Sequence, residues 1–325
     1  MRAGIKGTGM YVPPKILTND DLVALGIETS DEWIRAKTGM QVRHIVEGDT
    51  CTSDLAVEAG KAALIDADVK PRDVDMIILA TSSPDVVLSS TAAITQYKLG
   101  CSNAGAFDVN SVCSGFAYAL DAGARQVLDP YLDNVLVIGA EVYSKILNWK
   151  DRTTCIYFGD GAGAALLQKT ETGGIRGSYL KADGSGAEVI QIPAGGTKMP
   201  ITREILGTGD EYFHMDGRAV WKFATVKFPE AVSEVVKRCG LTLDDVDWVI
   251  PHQSNSVMIK ACMDNLGLPP EKAYINLYKY ANCASASIPI ALHEAAKDGI
   301  FRKDDIVVTV GYGGGLSWAA NLMEW

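Results

Sequence analysis

Three side chains and one glycine turn stand where chemistry could be done. Cys113 lies between Ala106-Phe107-Asp108-Val109, which reads as a strand, and Ser114-Gly115-Phe116-Ala117-Tyr118-Ala119-Leu120, which reads as the start of a helix of small residues. A thiol at a helix N-terminus meets unpaired N–H groups and the positive end of the helix dipole. Both favour thiolate, the form that attacks acyl groups. A sharp strand-to-helix turn also presents its side chain outward. Taken alone, a buried cysteine in a tight turn fits equally well. His252 directly follows the apolar run Val249-Ile250-Pro251. Pro251 cannot donate to a ladder, so the strand ends there and leaves His252 at a strand end, where sites of α/β sheets collect. A satisfied core histidine is the other reading. Asn282 opens the small polar run Asn282-Cys283-Ala284-Ser285-Ala286-Ser287, either as an amide donor or as a helix N-cap. Val308-Thr309-Val310 runs into Gly313-Gly314-Gly315. Successive glycines allow close backbone approach and can aim N–H groups at an anion.

These residues need elements to hold them. Met76-Ile77-Ile78-Leu79-Ala80 and Val135-Leu136-Val137-Ile138 are short apolar runs suited to strands buried on both faces. Asp54 to Ala67 gathers Leu55, Ala59, Ala62, Ala63 and Ile65 near one helical face, with Ser53 as N-cap. Such alternation predicts an α/β fold with layered sheets and helices. It also repeats. Asp73-Val74-Asp75-Met76-Ile77-Ile78 returns as Asp245-Val246-Asp247-Trp248-Val249-Ile250, 172 positions on. Ile5-Lys6-Gly7-Thr8 returns as Ile175-Arg176-Gly177-Ser178, and Asn134-Val135-Leu136-Val137 as Asp305-Ile306-Val307-Val308. Three ordered echoes at nearly one offset predict two related halves, residues 1–171 with the cysteine and 172–325 with the histidine, asparagine and glycine turn. Polar stretches at Lys145–Thr154 and Asp183–Asp210 read as surface loops, the second as an entrance or lid. Gly159-Asp160-Gly161 precedes a strand-like run where a dinucleotide loop would open a helix, so it reads as packing and framing.

Composition bounds the classes. The chain has 325 residues, 47% hydrophobic, with a formal net charge of -10. That excludes disorder and argues against nucleic acid as partner. No apolar run is long enough to span a membrane, and the N-terminal residues lack a secretory h-region, so the expectation is a cytoplasmic protein without membrane attachment. Seven cysteines and four histidines fall in no pattern for a disulfide framework or a metal site.

Ser30-Asp31-Glu32-Trp33-Ile34, Lys37-Thr38-Gly39, Cys113-Ser114-Gly115-Phe116, Asp151-Arg152, Phe158-Gly159-Asp160-Gly161-Ala162-Gly163-Ala164, Met215-Asp216-Gly217-Arg218, Pro251-His252-Gln253 and Gly313-Gly314-Gly315 occur in this order. With Cys113, His252 and Asn282 they resemble the thiolase-fold condensing enzymes, in particular the β-ketoacyl synthase III group, from about Gly7 to Trp325. The resemblance implies a duplicated five-layered fold with two mixed sheets. It implies an acyltransferase, acting in fatty acid or polyketide synthesis, in which Cys113 is acylated by an acyl-CoA such as acetyl-CoA. The oxyanion is then held by the N–H groups of Cys113 and Gly314. His252 and Asn282 become donors to the carbonyl of a malonyl thioester, stabilising the enolate left when CO2 departs. Neither a metal nor a redox cofactor is implied. Thr29, Trp33, Lys37, Arg152, Trp221 and Asn255 match positions that contact CoA, Trp33 and Arg152 those that sandwich its adenine. Lys37 replaces an arginine and supplies its charge without the planar fork. A homodimer is also implied.

Two departures set further expectations. Leu88-Ser89 stands where the family has a phenylalanine and proline gating the acyl pocket, which predicts a reshaped pocket taking a longer or branched primer. Members that use acyl carrier protein place a basic residue five positions after the histidine and paired lysines beyond it; here stand Val257, Asp264 and Asn265. Only Lys222 and Lys260 remain as candidates for steering an acidic carrier. The segment His252 to Met258, Phe107 to Cys113 and the ending Leu322-Met323-Glu324-Trp325 look more like the acetoacetyl-CoA synthases. The expected extender is therefore malonyl-CoA, with malonyl carrier protein as the alternative. Other classes fit less well. The order Cys, His, Asn is also that of papain-like proteases, but Ser114-Gly115 follows the cysteine and no secretory signal is read. A non-catalytic acyl-CoA binder needs no such trio, and transfer to oxygen or nitrogen makes less use of the histidine and asparagine.

Overall fold

The computed structural model describes residues 1–325. Its strands are β1 Arg2–Tyr11, β2 Lys15–Thr18, β3 Val42–Ile45, β4 Met76–Ala80, β5 Gly105–Val109, β6 Val135–Glu141, β7 Gly161–Thr170, β8 Gly174–Ala182, β9 Ile190–Gln191, β10 His214–Met215, β11 Trp248–Pro251, β12 Ile306–Gly313 and β13 Ser317–Glu324. Its helices are α1 Asn19–Ala24, α2 Asp31–Thr38, α3 Thr52–Asp66, α4 Thr91–Leu99, α5 Gly115–Gln126, α6 Arg152–Cys155, α7 Gly217–Arg238, α8 Ser256–Leu266, α9 Leu277–Tyr280 and α10 Ser287–Lys297.

The two sheets expected from the resemblance meet edge to edge. Nine strands run in the order β11-β12-β13-β8-β1-β7-β6-β4-β5, and a single pair, Ala3 with Ile175, joins β1 to β8. On either side of this seam the pattern is the same. β1 and β7, and β7 and β6, are antiparallel, while β6, β4 and β5 are parallel. β8 and β13, and β13 and β12, are antiparallel, while β12 and β11 are parallel. A parallel bridge from Val249 to Ala273 stands where a fifth strand would lie.

Alternation along the strands distributes the core. Leu136 and Ile138 of β6 pack on Leu55, Ala59 and Leu64 of α3, whereas Val135 and Val137 face Phe116 and Leu120 of α5. Those α5 residues share one cluster with Ile288, Ala291 and Leu292 of α10 and with Ile250 and Val307 of the second half. Beyond that half, Phe228 and Val232 of α7 and Ile259 and Met263 of α8 cover Val249, Val308 and Leu322. Five layers result: α3 and α4, the first half-sheet, the central α5 and α10, the second half-sheet, then α7 and α8. Packing of this density buries runs of β-branched and small residues on both faces of the sheet, as the apolar runs require.

Local boundaries differ modestly from expectation. α3 begins at Thr52 with Cys51 as cap residue, because the Asp54 carboxylate takes the Cys51 N–H and closes the box. Ser53 is therefore inside the helix. Gly159 abuts the Tyr280 carbonyl and Asp160 is buried, accepting from Val46 N–H and from the Ser144 backbone and hydroxyl. This segment frames the core and opens β7, and no helix follows it. No helix is long and apolar enough to cross a membrane.

Candidate active site

Cys113 sits in a single 3-10 turn, Val112–Ser114, that leads into α5. The turn is tight enough to hold Val112 at φ 47°, a left-handed conformation that costs a β-branched residue roughly 1–3 kcal/mol and persists only where its surroundings enforce it. The enforcing surface is β12. A Cβ on Gly313 would lie 2.8 Å from the Cys113 Cβ, and one on Gly311 would lie 2.8 Å from the Ser114 Cα. Glycine at both positions lets the strand end press against the nucleophile turn. The backbone N–H groups of Cys113 and Gly314 have no acceptor within the protein. They are thus free to face an oxyanion.

The thiol departs from expectation. Cys113 is only 6% exposed. Burial pushes its ionisation well above the ordinary thiol range, and the nearby Glu141 carboxylate adds to the effect. Desolvation outweighs the helix terminus, so the resting group is a thiol whose proton must leave during reaction.

His252 follows β11, its N–H bonded to the Val310 carbonyl at 2.8 Å. Its ring stands edge-on to Tyr312, centroids 5.4 Å apart. Burial lowers its pKa to about 3, so the imidazole is neutral. The Nδ1 is 2.7 Å from the Ser287 hydroxyl, which is also 2.8 Å from the Ala284 carbonyl. The single hydroxyl proton goes to one or the other. That choice sets whether Nε2 presents a proton or a lone pair to the cavity. Gln253 locks the same turn, donating to Pro251 and Tyr274 carbonyls and accepting from Asn276 N–H.

Asn282 is held by backbone on both sides. Its N–H donates to the Tyr157 carbonyl and its carbonyl accepts from Gly159 N–H. Its Oδ1 accepts from Ala284 N–H at 2.8 Å, which fixes the amide orientation. The Nδ2 has no partner in the protein. The capping and donor readings both hold, one for each end of the amide.

Cys113, His252 and Asn282 line one cavity with Phe158, Phe213, Trp221, Ser254, Tyr312 and Gly313, about 130 Å³ in volume. The structure thus brings the trio and the glycine turn together from both halves. Trp221 lies on its wall. Arg152 stacks on Trp33, its guanidinium carbon 5.4 Å from the ring centroid, and donates to the Glu28 carbonyl. Beside them a second cleft of about 430 Å³ is lined by Ile27, Glu28, Trp149, Lys150 and Arg152. The buried Thr29 hydroxyl has no partner.

Two expected contacts look different in place. Asn255 lines the cavity, but its polar atoms are already used. Its Oδ1 caps α8 and its Nδ2 donates to the Lys37 carbonyl. Leu88 is 87% exposed and does not line the cavity of its own chain. Ser287, Ser254, Tyr312 and Glu141 escaped sequence reasoning. The one available signal was adjacency, Ser254 and Tyr312 each lying within two residues of a motif.

Two family profiles match the chain, 3-Oxoacyl-[acyl-carrier-protein (ACP)] synthase III over residues 107–184 and its C-terminal counterpart over 236–325. A β-ketoacyl-[acyl-carrier-protein] synthase III of Caldanaerobacter subterraneus subsp. tengcongensis is 51% identical, covering 99% of this chain and 98% of the relative. The chain belongs to the β-ketoacyl-[acyl-carrier-protein] synthase III family. It is accordingly an acyltransferase. Another such synthase III, of Symbiobacterium thermophilum, is 44% identical over 99% of the chain and 98% of the relative. Among solved structures, a 3-oxoacyl-[acyl-carrier-protein] synthase III of Aquifex aeolicus superposes with a TM-score of 0.91 at 39% identity, over 99% of this chain and 100% of that one. The likeness of this synthase III to enzymes named for acyl carrier protein fits the carrier alternative better than the malonyl-CoA reading, which drew on Val257, Asp264 and Asn265 and on the segments 252–258, 107–113 and 322–325.

Proposed function

We propose that the enzyme joins an acyl-CoA primer to malonyl acyl carrier protein by decarboxylating condensation. The observation that carries this reading is the set of unspent donors around one thiol: the N–H of Cys113 and Gly314, and the Nδ2 of Asn282. In the first half-reaction the Cys113 sulfur attacks the acyl-CoA carbonyl. The oxyanion is held by the two N–H groups, and the thiol proton passes to the departing CoA sulfur. In the second, His252 Nε2–H and Asn282 Nδ2–H donate to the malonyl thioester carbonyl. The bond to the carboxylate breaks, CO2 leaves, and its electrons form the enolate. That carbanion attacks the acyl-cysteine carbonyl. The carbon–sulfur bond then breaks and Cys113 is reprotonated. This role needs Nε2 protonated, with the Ser287 hydroxyl turned onto Nδ1. A neutral imidazole suits it, because a cation would hold the enolate too tightly to let it attack.

Relatives at 51% and 44% identity are named for acyl carrier protein, which supports that carrier as extender substrate here. Steering charge is spread over several elements, with only Lys260 on α8. Lys37, Arg152, Arg218, Lys222 and Lys260 are exposed and make no ion pair, in a chain of net charge -10. Lys37 is tied to cavity-lining Asn255, and Arg218 and Lys222 follow the cavity-lining Gly217 and Trp221. Unpaired cations at a cavity mouth attract either a CoA or an acidic protein. Malonyl-CoA stays as the second reading on one observation: exposed Val257 and Asp264 occupy α8 beside that mouth. The cleft at Arg152, Trp33 and Thr29 is the proposed adenine site. A homodimer would pair along the outer edge of β5, the last strand of the sheet, beside exposed Val86, Val87 and Leu88. A gating role for Leu88 is available only across such a dimer.

The test supplies acetyl-CoA with malonyl carrier protein or malonyl-CoA in separate reactions and identifies products by mass. Faster β-ketoacyl formation with the carrier is expected. Equal or faster reaction with malonyl-CoA restores the second reading, and no product from either overturns the proposal.

A further inference from the structure

The inner wall of the cavity holds two hydroxyl groups that its proton ledger leaves one acceptor short. Ser254 Oγ and Tyr312 Oη lie 2.7 Å apart. Each carries one proton. One of these fills the bond between them. The other has only the Met258 thioether within reach, 3.6 Å from Tyr312 and 3.8 Å from Ser254. A thioether is a weak acceptor. Tyr312 is 2% exposed, and burial keeps its phenol protonated well above ordinary pH. Ser254 is half-buried, so with Tyr312 donating to it the Ser254 proton is left to face the cavity, where a bound carbonyl oxygen would be a stronger acceptor than the thioether. Both hydroxyls and Met258 line the cavity that contains Cys113.

We propose that the Ser254–Tyr312 hydroxyl pair binds the amide carbonyl of the substrate's pantetheine arm that lies nearest the thioester. The inference rests on the reading of Cys113 as the acylated nucleophile. Position along the chain favours it. Ser254 stands between His252, which lines the cavity, and Asn255, which ties α8 to Lys37 at the mouth. An arm reaching from the mouth to the thiol passes this wall. The malonyl carboxylate is a poorer candidate, since a donor there would stabilise the charge that decarboxylation must remove.

Tyr312→Phe and Ser254→Ala each delete one hydroxyl and little volume. Acylation of Cys113 is followed by intact-protein mass with three donors: acetyl-CoA, the N-acetylcysteamine thioester, which keeps the nearest amide, and ethyl thioacetate, which has none. Each variant should raise KM about tenfold for the first two, the scale of one lost neutral hydrogen bond. kcat should hold near its original value, and ethyl thioacetate should react equally with variants and parent. Unchanged KM for acetyl-CoA overturns the proposal. So does an equal loss with ethyl thioacetate, which would mean the pair acts only by packing on His252. A loss confined to the malonyl substrate overturns it in favour of carboxylate binding. If the parent enzyme is not acylated by acetyl-CoA at all, the reading of Cys113 fails instead, and the two failures are distinct.

Discussion

Two turns of this molecule have the same backbone and opposite fates. Val112–Ser114 leads into α5 and Ala284–Ala286 leads into α10, 172 positions apart. Each opens on a non-glycine residue at positive φ, Val112 at 47° and Ala284 at 40°. Each is pressed by a glycine of the opposite half, Gly311 against Ser114 and Gly139 against the Ser285 carbonyl. Cys113 and Ser285 are thus counterparts. Around Cys113 the facing strand end is Gly313, and a cavity opens. Around Ser285 the corresponding strand end is Glu141, and the space is filled. Its carboxylate accepts from the hydroxyls of Ser82, Ser83 and Ser285, and from the N–H groups of Ser82 and Ser83. The Ser285 hydroxyl also lies 2.9 Å from the carbonyl of Ala80, the counterpart of His252, and its one proton goes to Glu141 or to Ala80. A duplicated fold offers two equivalent turns. One is kept open by glycines beside a cavity, the site proposed for reaction, and the other is closed by a buried carboxylate that ties the halves together.

The largest break in this contrast comes from the open turn. Cys113→Ser should lower acyl-enzyme formation at least about a thousandfold, read by intact-protein mass. Adding Ser285→Cys to that variant should restore nothing, since the thiol would face Glu141 with no free N–H turn beside it. Acylation at position 285 would show the two turns to be chemically equivalent after all.

His252→Ala should slow CO2 release from the malonyl thioester about a hundredfold while sparing acylation. The pH dependence follows from the lowered pKa. A histidine with a pKa of about 3 keeps its neutral form as pH falls from about 8 to about 5. The decarboxylation rate should therefore stay flat across that range, and an inflection near 6.5 would contradict the burial argument. Closing the filled turn less well should act on stability instead. Glu141→Gln should cost about 1–3 kcal/mol in denaturant unfolding, by replacing an acceptor of many bonds with an amide that must misplace a donor. The smallest effect belongs to Ser287→Ala. Losing the hydroxyl that orients His252 should slow decarboxylation about tenfold, with Ser287→Thr recovering part of it.

What could be read in the sequence was what sits at strand ends. Cys113, His252 and the glycine turn each follow an apolar strand, while Asn282 follows the short helix α9 and was marked by the small polar run it opens; the repeat that pairs the halves was legible too. What could not be read depends on surroundings drawn from distant segments. Burial, with Glu141 adding to it, keeps the Cys113 thiol protonated, against the helix terminus that sequence reveals. Asn255 matches a ligand position, yet the cap of α8 and the end of α2 consume its amide. Leu88 matches a gate and lies outside its own cavity. Val257 and Asp264 pointed to malonyl-CoA from one helix, whereas the exposed cations stand on several elements and the relatives named for acyl carrier protein fit the alternative better. Ser287 reaches His252 across 35 positions, and no local pattern marks such a pair.

The central claim is a division of labour, with the nucleophile from the first half and the enolate donors from the second. Asn282→Ala tests it most directly when one sample is read twice. Intact-protein mass after acetyl-CoA should show Cys113 acylated as in the parent, while CO2 release from the malonyl thioester falls about a hundredfold. Loss of acylation with decarboxylation retained would contradict it.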